Sequence, residues 1–461
     1  MTRNNIQAHL NKCDDIWAVL GKERVKAVAE KCGAGDKRRR KITLEAFVPS
    51  TLIAVSSKKA HGFYSETAAI GYNLFQGTDK PLKPATKQAV GKQMQKRDME
   101  LFGGIFRNTL KSSLHLLTEQ DKWYLKMFKD ARIVDSTVVN LNKVLCSEFR
   151  ATTEGKAALK IHTIFSLSKF VPLRFKITKQ RSSDVKFDFL DGTKNVLYIN
   201  DLGYWCFPLF KKIMGQDSFF ISRLKDGCNP RILEFLSPGY SVFNGTRKTL
   251  KELIDCNNLG GKSIDLMIKL PGIVEKLRLV GLKHKEKWYF YVTNIMDEKF
   301  TPQVIYEIYR LRWQIEMFFK WLKHILKLEH ITCEKPNAIM IEIYAAMIMF
   351  LITRFLMEKA SRVYGIGIER FSMEKCLRIV GMNFEMVVLC FMEGRPPPDY
   401  LIRLLASPLG LKEKPKWGSA KGSVLGLKSR WFSGELGRVF EFCLHKTRLI
   451  LAFRQNFFGL S

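Results

Sequence analysis

The chain has 461 residues, of which 46 % are hydrophobic, and its formal net charge at pH 7 is +32. This length predicts two to four domains, and the hydrophobic content excludes a wholly disordered chain. The excess of Lys and Arg far exceeds what solubility requires. It indicates a polyanionic partner, with DNA or RNA favoured over an acidic protein, and a membrane surface as the other option for a basic protein.

Cysteine usage and the first residues of the chain favour a reducing, cytoplasmic location. The ten cysteines have no regular spacing, whereas a secreted disulfide framework is denser and more ordered. Residues 1–20 contain no apolar segment of the kind found in signal peptides. The apolar run Ala338–Met357 is interrupted by Glu342 and Arg354. We therefore expect a buried helix there and no membrane partner.

Residues 1–125 are predicted to form a helical region that binds DNA. The segment 16–32 has a helical period, and the segment 84–90 is typical of a helix start. A strongly basic run, Lys37–Lys41, lies between them. A solvated charged face is the alternative interpretation, because a charge run alone is more often that.

From about residue 130 the pattern changes to strands. Four segments are rich in β-branched and aromatic residues and are predicted to be strands: 131–134, 160–167, 171–177 and 195–199. Ser183–Leu190 is predicted to be a short helix before the last of them. This order is that of the RNase H fold, in which the first and fourth strands are neighbours. We therefore predict an α/β fold with an RNase H-like mixed-sheet core.

Further strands are predicted at 218–223, 276–282 and 287–293, the last two as a hairpin. They indicate a β-rich insertion domain within the core. A long helix is then predicted from Thr301-Pro302 to about residue 328, because Thr is a good N-cap and Pro suits the first helical position. The predicted organisation has five segments: a helical region 1–125, the first part of the core 126–206, the insertion domain 207–300, the second part of the core 301–395, and a basic, partly flexible tail 396–461.

Two aspartates follow predicted buried strands. Asp135 comes after Ile133-Val134, and Asp201 comes after Leu197-Tyr198-Ile199. A buried carboxylate without a partner is costly, so it is usually paired or bound to a metal ion. For either aspartate alone, an acid that starts a turn is the favoured interpretation.

The predicted helix 301–328 contributes a third acid. At about 100° per residue, six polar side chains fall on one stripe about 80° wide: Tyr309, Arg312, Glu316, Lys320, Lys323 and Lys327. Cations on such a stripe can stabilise a phosphodiester, while the carboxylate holds a metal ion. An amphipathic helix with a solvated face is an equally good interpretation of the stripe.

Asp135, Asp201 and Glu316 together form a set of three carboxylates from two strands and a helix. Hard oxygen ligands of this kind suit Mg²⁺ or Mn²⁺. Two such ions about 4 Å apart can activate a water or a 3′-hydroxyl and stabilise the leaving oxygen. The set therefore predicts a two-metal site that cleaves and joins phosphodiesters.

Three motifs contain these acids: Asp135-Ser136-Thr137, Asp201-x-Gly203-Tyr204 and Tyr309-x2-Arg312-x3-Glu316-x6-Lys323. The third is similar to the Y-R-E-K signature of the insertion-sequence-four family of DDE transposases, and the first two resemble that family's acid motifs. The resemblance covers about residues 130–355 and weakens at both ends of the chain.

The resemblance implies a DNA transposase that binds inverted-repeat ends and catalyses strand cleavage and strand transfer. It implies that Asp135, Asp201 and Glu316 are catalytic and hold two Mg²⁺ (or Mn²⁺) ions. Double-stranded DNA would be the partner, bound by a homodimer. Five residues would contact this DNA: Tyr309, Arg312, Lys323, Trp288 and Arg223.

The last two DNA contacts have structural alternatives. Trp288 would stabilise a flipped base by stacking, but a strand Trp packed in the core is equally compatible with its position. Arg223 would lie along the DNA, and an exposed strand arginine is the alternative.

Three other functions stay open from the sequence alone. The first is a DNA-binding protein of transposon origin that no longer cleaves. The second is a nuclease of the RNase H type without strand transfer. The third is a basic interaction protein without a metal site.

Overall fold

The computed structural model describes residues 14–35, 42–57, 62–75, 85–236, 249–255, 262–284 and 287–413. The predicted basic run Lys37–Lys41 and the predicted tail beyond residue 413 lie outside these residues. The chain forms two compact units, one of Met1–Thr118 with Leu322–Ser461 and the other of Glu119–Trp321. The five-segment organisation expected from the sequence stays a prediction.

The helices in the described residues are α1 Asp14–Trp17, α2 Lys22–Lys31, α3 Leu44–Ser57, α4 Phe63–Phe75, α5 Lys87–Lys96, α6 Glu100–Leu114, α7 Trp123–Lys126, α8 Phe207–Gly215, α9 Leu250–Asp255, α10 Pro302–Arg310, α11 Trp313–His324, α12 Pro336–Tyr364, α13 Met373–Met382, α14 Phe384–Met392 and α15 Asp399–Ala406. The strands are β1 Asp130–Leu141, β2 Ala157–Ser166, β3 Val171–Lys179, β4 Val196–Asn200, β5 Phe219–Arg223, β6 Arg231–Phe235, β7 Ser263–Lys269, β8 Leu277–His284 and β9 Lys287–Thr293.

The first unit is helical in its described residues. Its N-terminal part contains α1 to α6, which agrees with the helical region predicted there. The predicted helix start at 84–90 is confirmed, since the side chain of Thr86 accepts a hydrogen bond from the Ala89 N–H and caps α5. This cap satisfies one of the free N–H groups of the first turn.

Helix α12 is the central apolar helix of the first unit. By length and composition it is long enough to cross a membrane, but 94 % of its most apolar 18-residue window is buried. Two of its buried charges form a pair, in which Arg354 Nη1 donates to Glu358 Oε2 at 3.0 Å. The predicted buried helix is therefore confirmed.

The strands of the unit Glu119–Trp321 form one mixed sheet in the order β3-β2-β1-β4-β5-β9-β8-β7-β6. Strand β1 is antiparallel to β2 and parallel to β4, and β4 is parallel to β5. This arrangement is consistent with the predicted RNase H-like core. The β-rich segment predicted after residue 207 also forms strands, and they continue the same sheet because β9 pairs with β5.

The helix predicted at Ser183–Leu190 is wrong. Only Asp184–Lys186 forms a single 3₁₀ turn. The following residues are extended, and the rings of Phe187 and Phe189 are buried in the hydrophobic core of the sheet. Burial of two aromatic rings two positions apart requires one face of an extended segment, whereas a helix would separate them by about 200°.

The continuous helix predicted from Thr301 to about residue 328 is also wrong. Thr301 caps α10 as expected, by accepting from the Val304 N–H. The helix then ends at Arg310, and α11 begins at Trp313. Across this break the Arg312 N–H donates to Tyr309, three residues earlier. Such 3₁₀ hydrogen bonds tighten the turn and redirect the chain.

Candidate active site

The first two acids lie side by side at one end of the β1–β4 pairing. The last parallel pair is Val134 with Asn200, and Asp135 and Asp201 follow directly. Asp201 follows the end of β4, as predicted. Asp135, however, lies inside its strand and not at its carboxyl end, because β1 continues to Leu141 through its pairing with β2. Asp135 is thus held by backbone hydrogen bonds along a second strand.

The third acid, Glu316, follows the break between α10 and α11. Arg312 lies in the break, and Glu316 lies one turn later on α11. Residues four apart share a helix face, so the two side chains meet. The apolar side of α11 anchors it, since Ile315 and Phe318 are fully buried and Phe318 packs on Phe165 of β2.

The guanidinium of Arg312 lies among the three carboxylates. Its Nη1 donates to Asp135 Oδ2 at 3.2 Å, and its Nη2 donates to Glu316 Oε1 at 2.5 Å. Its Nε lies 3.8 Å from Asp201 Oδ1. The three acids expected from the sequence therefore surround one cationic group.

Burial and mutual repulsion shape the electrostatics of these acids. Burial raises the pKa of Asp135 to about 7; the Ser136 N–H and Arg312 oppose this rise, while the charges of Asp201 and Glu316 add to it. Burial alone would lower the pKa of Arg312, but the charges of Asp201 and Tyr309 outweigh burial and hold it above its ordinary value. Arg312 is therefore a permanent cation that compensates a crowded set of acids.

The donor set fits a hard divalent cation once the guanidinium withdraws. In the part of the chain that the structure describes, no three His, Cys, Asp or Glu side chains are arranged to hold a metal ion as they stand. The three carboxylates nevertheless converge on a single positive group. Carboxylate oxygens are the preferred ligands of Mg²⁺ and Mn²⁺. A metal ion and Arg312 would therefore compete for the same oxygens.

Tyr309 and Arg223, two of the predicted DNA contacts, lie beside the acids. Burial and the charge of Asp201 raise the pKa of Tyr309 to about 12, and the charges of Arg312 and Arg223 oppose the rise. The Tyr309 ring packs against Tyr291, with 4.8 Å between ring centroids. Tyr291 is the strand partner of Arg223 across β5 and β9. Tyr309 and Arg223 therefore lie near each other on the Asp201 side of the acid site.

Trp288 and Lys323 have different surroundings. Trp288 lies in the β8–β9 hairpin, where its ring stacks on Phe290 at 6.0 Å and packs on the core of the sheet. Lys323 is half-buried near the end of α11, and burial lowers its pKa although the charge of Glu329 opposes this. Their predicted DNA contacts stay predictions.

A polar network next to Asp135 was missed from the sequence. Ser136 and Lys160 both contact the carboxylate of Asp184, and His162 lies near it. The available signal was the pair Lys160 and His162, two basic residues on one face of a predicted strand. Asp184 lies in the segment predicted to be a short helix, and no pattern in the sequence singled it out.

The transposase DDE domain family matches residues 126–352 of the chain. This range contains the three acids, Arg312 and the whole of the described sheet. The site found by geometry and the family match therefore fall on the same part of the chain.

Named insertion-sequence transposases are similar to this chain over more than half of its length. The transposase for insertion sequence element IS231B of Bacillus thuringiensis subsp. berliner is 24 % identical over 324 residues, which are 60 % of this chain and 68 % of the relative. The transposase for IS1151 of Clostridium perfringens is 23 % identical over 343 residues, covering 61 % and 72 %. The putative transposase for IS4SA of Synechocystis sp. (strain ATCC 27184 / PCC 6803 / Kazusa) is 26 % identical over 273 residues, covering 58 % and 70 %.

A solved structure, the piggyBac transposase synaptic complex with hairpin DNA, aligns with 88 % of this chain and 86 % of that chain at 12 % identity and a TM-score of 0.40. The family match and the named relatives agree with each other and with the motifs that contain the acids. The chain belongs to the DDE transposases of insertion sequences, in the insertion-sequence-four group.

Proposed function

We propose that this transposase binds the inverted-repeat ends of its own element and catalyses metal-dependent cleavage and strand transfer with Asp135, Asp201 and Glu316 as metal ligands. The observation that supports the proposal is the convergence of the three carboxylates on the guanidinium of Arg312. Acids that surround a cation when DNA is absent are suited to hold divalent cations when DNA is bound.

Two Mg²⁺ or Mn²⁺ ions, when bound, would activate a water or 3′-hydroxyl and stabilise the leaving oxygen. The protein's own part is to hold the ligands in place and to accept the phosphate. We propose that Arg312 leaves the carboxylates when a DNA phosphate enters, because a phosphate offers its guanidinium an equivalent bidentate partner. The acids are then free for the metal ions.

Four further side chains are proposed to contact the DNA. Arg223 and Tyr309 would bind the backbone next to the scissile phosphate, since they lie beside the acids. Lys323 would bind a phosphate further along the transposon end. Trp288 would stack on a base freed from the helix, for which the exposed part of its ring is available.

The partner is proposed to be double-stranded DNA of the transposon ends and the target, bound by a homodimer. The net charge of +32 supports a partner with many phosphates. We place the recognition of the end sequence in the helical region 1–125 and the activity in the cytoplasm, on the nucleoid. An inactive DNA-binding relic is not favoured, because the three acids lie together in a DDE domain.

The substitution Glu316→Gln tests the metal site. It removes one ligand charge and retains the shape of the side chain. Cleavage of DNA from the element's own termini should fall by more than about 100-fold, since even residues behind metal ligands contribute 10–100-fold. Binding of the same DNA in a gel-shift assay should persist. Glu307→Gln is the matched control. Glu307 is a glutamate of α10 that accepts a hydrogen bond from Gln303 and does not belong to the acid site.

Cleavage by Glu316→Gln at the rate of the natural protein would contradict the metal-site proposal. A joining assay separates a transposase from a simple nuclease. A labelled 3′ end of the element should be transferred to a plasmid by the natural protein and by Glu307→Gln. Cleavage without joining would instead favour a nuclease of the RNase H type.

A further inference from the structure

A fourth carboxylate lies next to the acid site, on the opposite face of the sheet. Asp184 belongs to the 3₁₀ turn between β3 and β4. Its Oδ1 accepts a hydrogen bond from Ser136 Oγ at 2.8 Å. Ser136 directly follows Asp135, and successive side chains of a strand point to opposite faces. Asp184 therefore contacts β1 from the face that Arg312 does not occupy.

Asp184 is also held by two basic residues of β2. Lys160 Nζ donates to its two oxygens at 3.2 and 3.3 Å, and to the Ser182 carbonyl at 3.0 Å. His162 Nδ1 lies 3.4 Å from Asp184 Oδ1. The side chain of His162 is only 1 % exposed, and its ring stacks on Phe187. The carboxylate is thus fixed in position by neighbours on a second strand.

The same carboxylate reaches the turn that follows the second acid. A Cβ at position 203 would lie 3.4 Å from Asp184 Oδ2, so the backbone of Gly203 packs against this oxygen. The hydroxyl of Tyr204 lies 3.4 Å from His162 Nδ1. Leu202–Tyr204 is a single 3₁₀ turn that begins immediately after Asp201. Asp184 consequently connects the segment after the first acid with the segment after the second.

We propose that Asp184 is a positioning residue that holds Asp135 and Asp201 in the relative positions that metal binding requires. It acts through Ser136 on one side and through the Leu202–Tyr204 turn on the other, and it does not touch the substrate. Residues behind metal ligands commonly set the orientation of those ligands. This inference rests on the proposed function of Asp135 and Asp201 as ligands.

The substitution Asp184→Ala tests the inference. The turnover rate of end cleavage should fall about 10–100-fold, while the KM for terminal DNA changes less than about twofold, because no DNA contact is lost. The affinity for Mn²⁺, measured by electron paramagnetic resonance on the complex with terminal DNA, should weaken in parallel. Asp184→Asn keeps one side-chain oxygen as an acceptor and replaces the other with an amide nitrogen of the same shape, so it should recover part of both the turnover rate and the Mn²⁺ affinity. Asp188→Asn is the matched control, since Asp188 is an exposed aspartate of the same segment.

A double-mutant cycle distinguishes positioning from a general loss of folding. Ser136→Ala removes the hydrogen bond that Ser136 donates to Asp184 and should reproduce part of the loss in turnover. If Asp184 acts through Ser136, the combined variant loses less than the product of the two separate losses. Melting curves of all the variants show whether they fold. If Asp184→Ala does not fold, Ser136→Ala provides the test.

Unchanged turnover and Mn²⁺ affinity in folded Asp184→Ala and Ser136→Ala would overturn the inference. Strictly multiplicative losses in the cycle would overturn it too. These outcomes are distinct from a failure of the proposed metal site, which would appear as normal cleavage by Glu316→Gln. An inactive Glu316→Gln with a fully active Asp184→Ala would leave the metal site in place and exclude the positioning role.

Discussion

Arg312 determines the charge balance of the acid site. Its side chain is 20 % exposed, and it contacts Asp135 and Glu316 while lying close to Asp201. Three carboxylates without a cation would repel each other in a site of reduced dielectric constant. The arginine therefore compensates these charges and at the same time contacts the oxygens that the proposed metal ions would bind.

We predict that Arg312→Ala binds Mn²⁺ more tightly than the natural protein does when DNA is absent. Removal of the competing guanidinium should strengthen binding by about tenfold, which corresponds to about 1.4 kcal/mol. The shift in melting temperature on addition of Mn²⁺ measures the effect, because a ligand of the folded state stabilises it. Arg310→Ala is the control, since Arg310 is exposed and ends α10. Equal Mn²⁺ shifts in both variants would refute competition by Arg312.

The acids could be predicted from the sequence, but the position of Arg312 could not. Asp135 and Asp201 follow apolar runs that must be buried, and Glu316 belongs to a specific spacing. The angular projection placed Arg312 on a shared stripe with Glu316, and their contact is present. That projection assumed an unbroken helix, whereas the break at Arg312 has no Gly or Pro to announce it. Contacts with the two aspartates depend on strands more than 100 residues earlier.

Helix α12 shows how charges are accommodated within an apolar element. Arg354 and Glu358 are both 2 % exposed and lie four residues apart. Burial alone would raise the pKa of Glu358, but the charge of Arg354 and the hydrogen bonds from Thr118 outweigh burial and lower it. A lowered pKa means that Glu358 stabilises the fold above its unfolded pKa. This stabilisation is lost as the pH falls through the lower, folded value.

We predict that Glu358→Gln lowers the free energy of unfolding by about 3–5 kcal/mol at neutral pH, because it leaves the buried Arg354 without a counter-charge. Glu374→Gln on α13 should change it by less than about 1 kcal/mol, since its pair with Arg378 is mostly exposed. Urea unfolding followed by circular dichroism measures both. Similar losses in the two variants would contradict a special role for the buried pair.

The order of the strands could be predicted only for the first half of the sheet. The strands β1 to β4 follow one another closely, and their order could be inferred from local patterns and the RNase H arrangement. The pairing of β5 with β9 joins residues about 70 positions apart, such as Ile221 and Thr293. No local pattern specifies a pairing of this kind, since it depends on which edge of the sheet is free. The sequence therefore predicted strands in this segment but not their pairing with the core sheet.

At the scale of the molecule, the net charge predicts binding that depends strongly on salt. Six to ten phosphate contacts would reduce the affinity for terminal DNA by about 10³–10⁵ between 50 and 200 mM salt. Fluorescence anisotropy of labelled terminal DNA over a salt series measures the slope. Arg312→Ala should reduce the slope by about one, because one phosphate contact is lost. A slope near zero would exclude phosphate recognition as the main source of affinity.

The pairing of β5 with β9 also has an evolutionary consequence. After Arg223 the chain forms β6, β7 and β8 and returns in β9 to Tyr291, which is the strand partner of Arg223. The two ends of this excursion are therefore fixed together, whatever lies between them. Doubling the length of a flexible loop between its strands costs only about 0.6 kcal/mol in closure entropy. Descendants of this gene can thus gain or lose material between these two residues while the geometry of the acids is inherited unchanged.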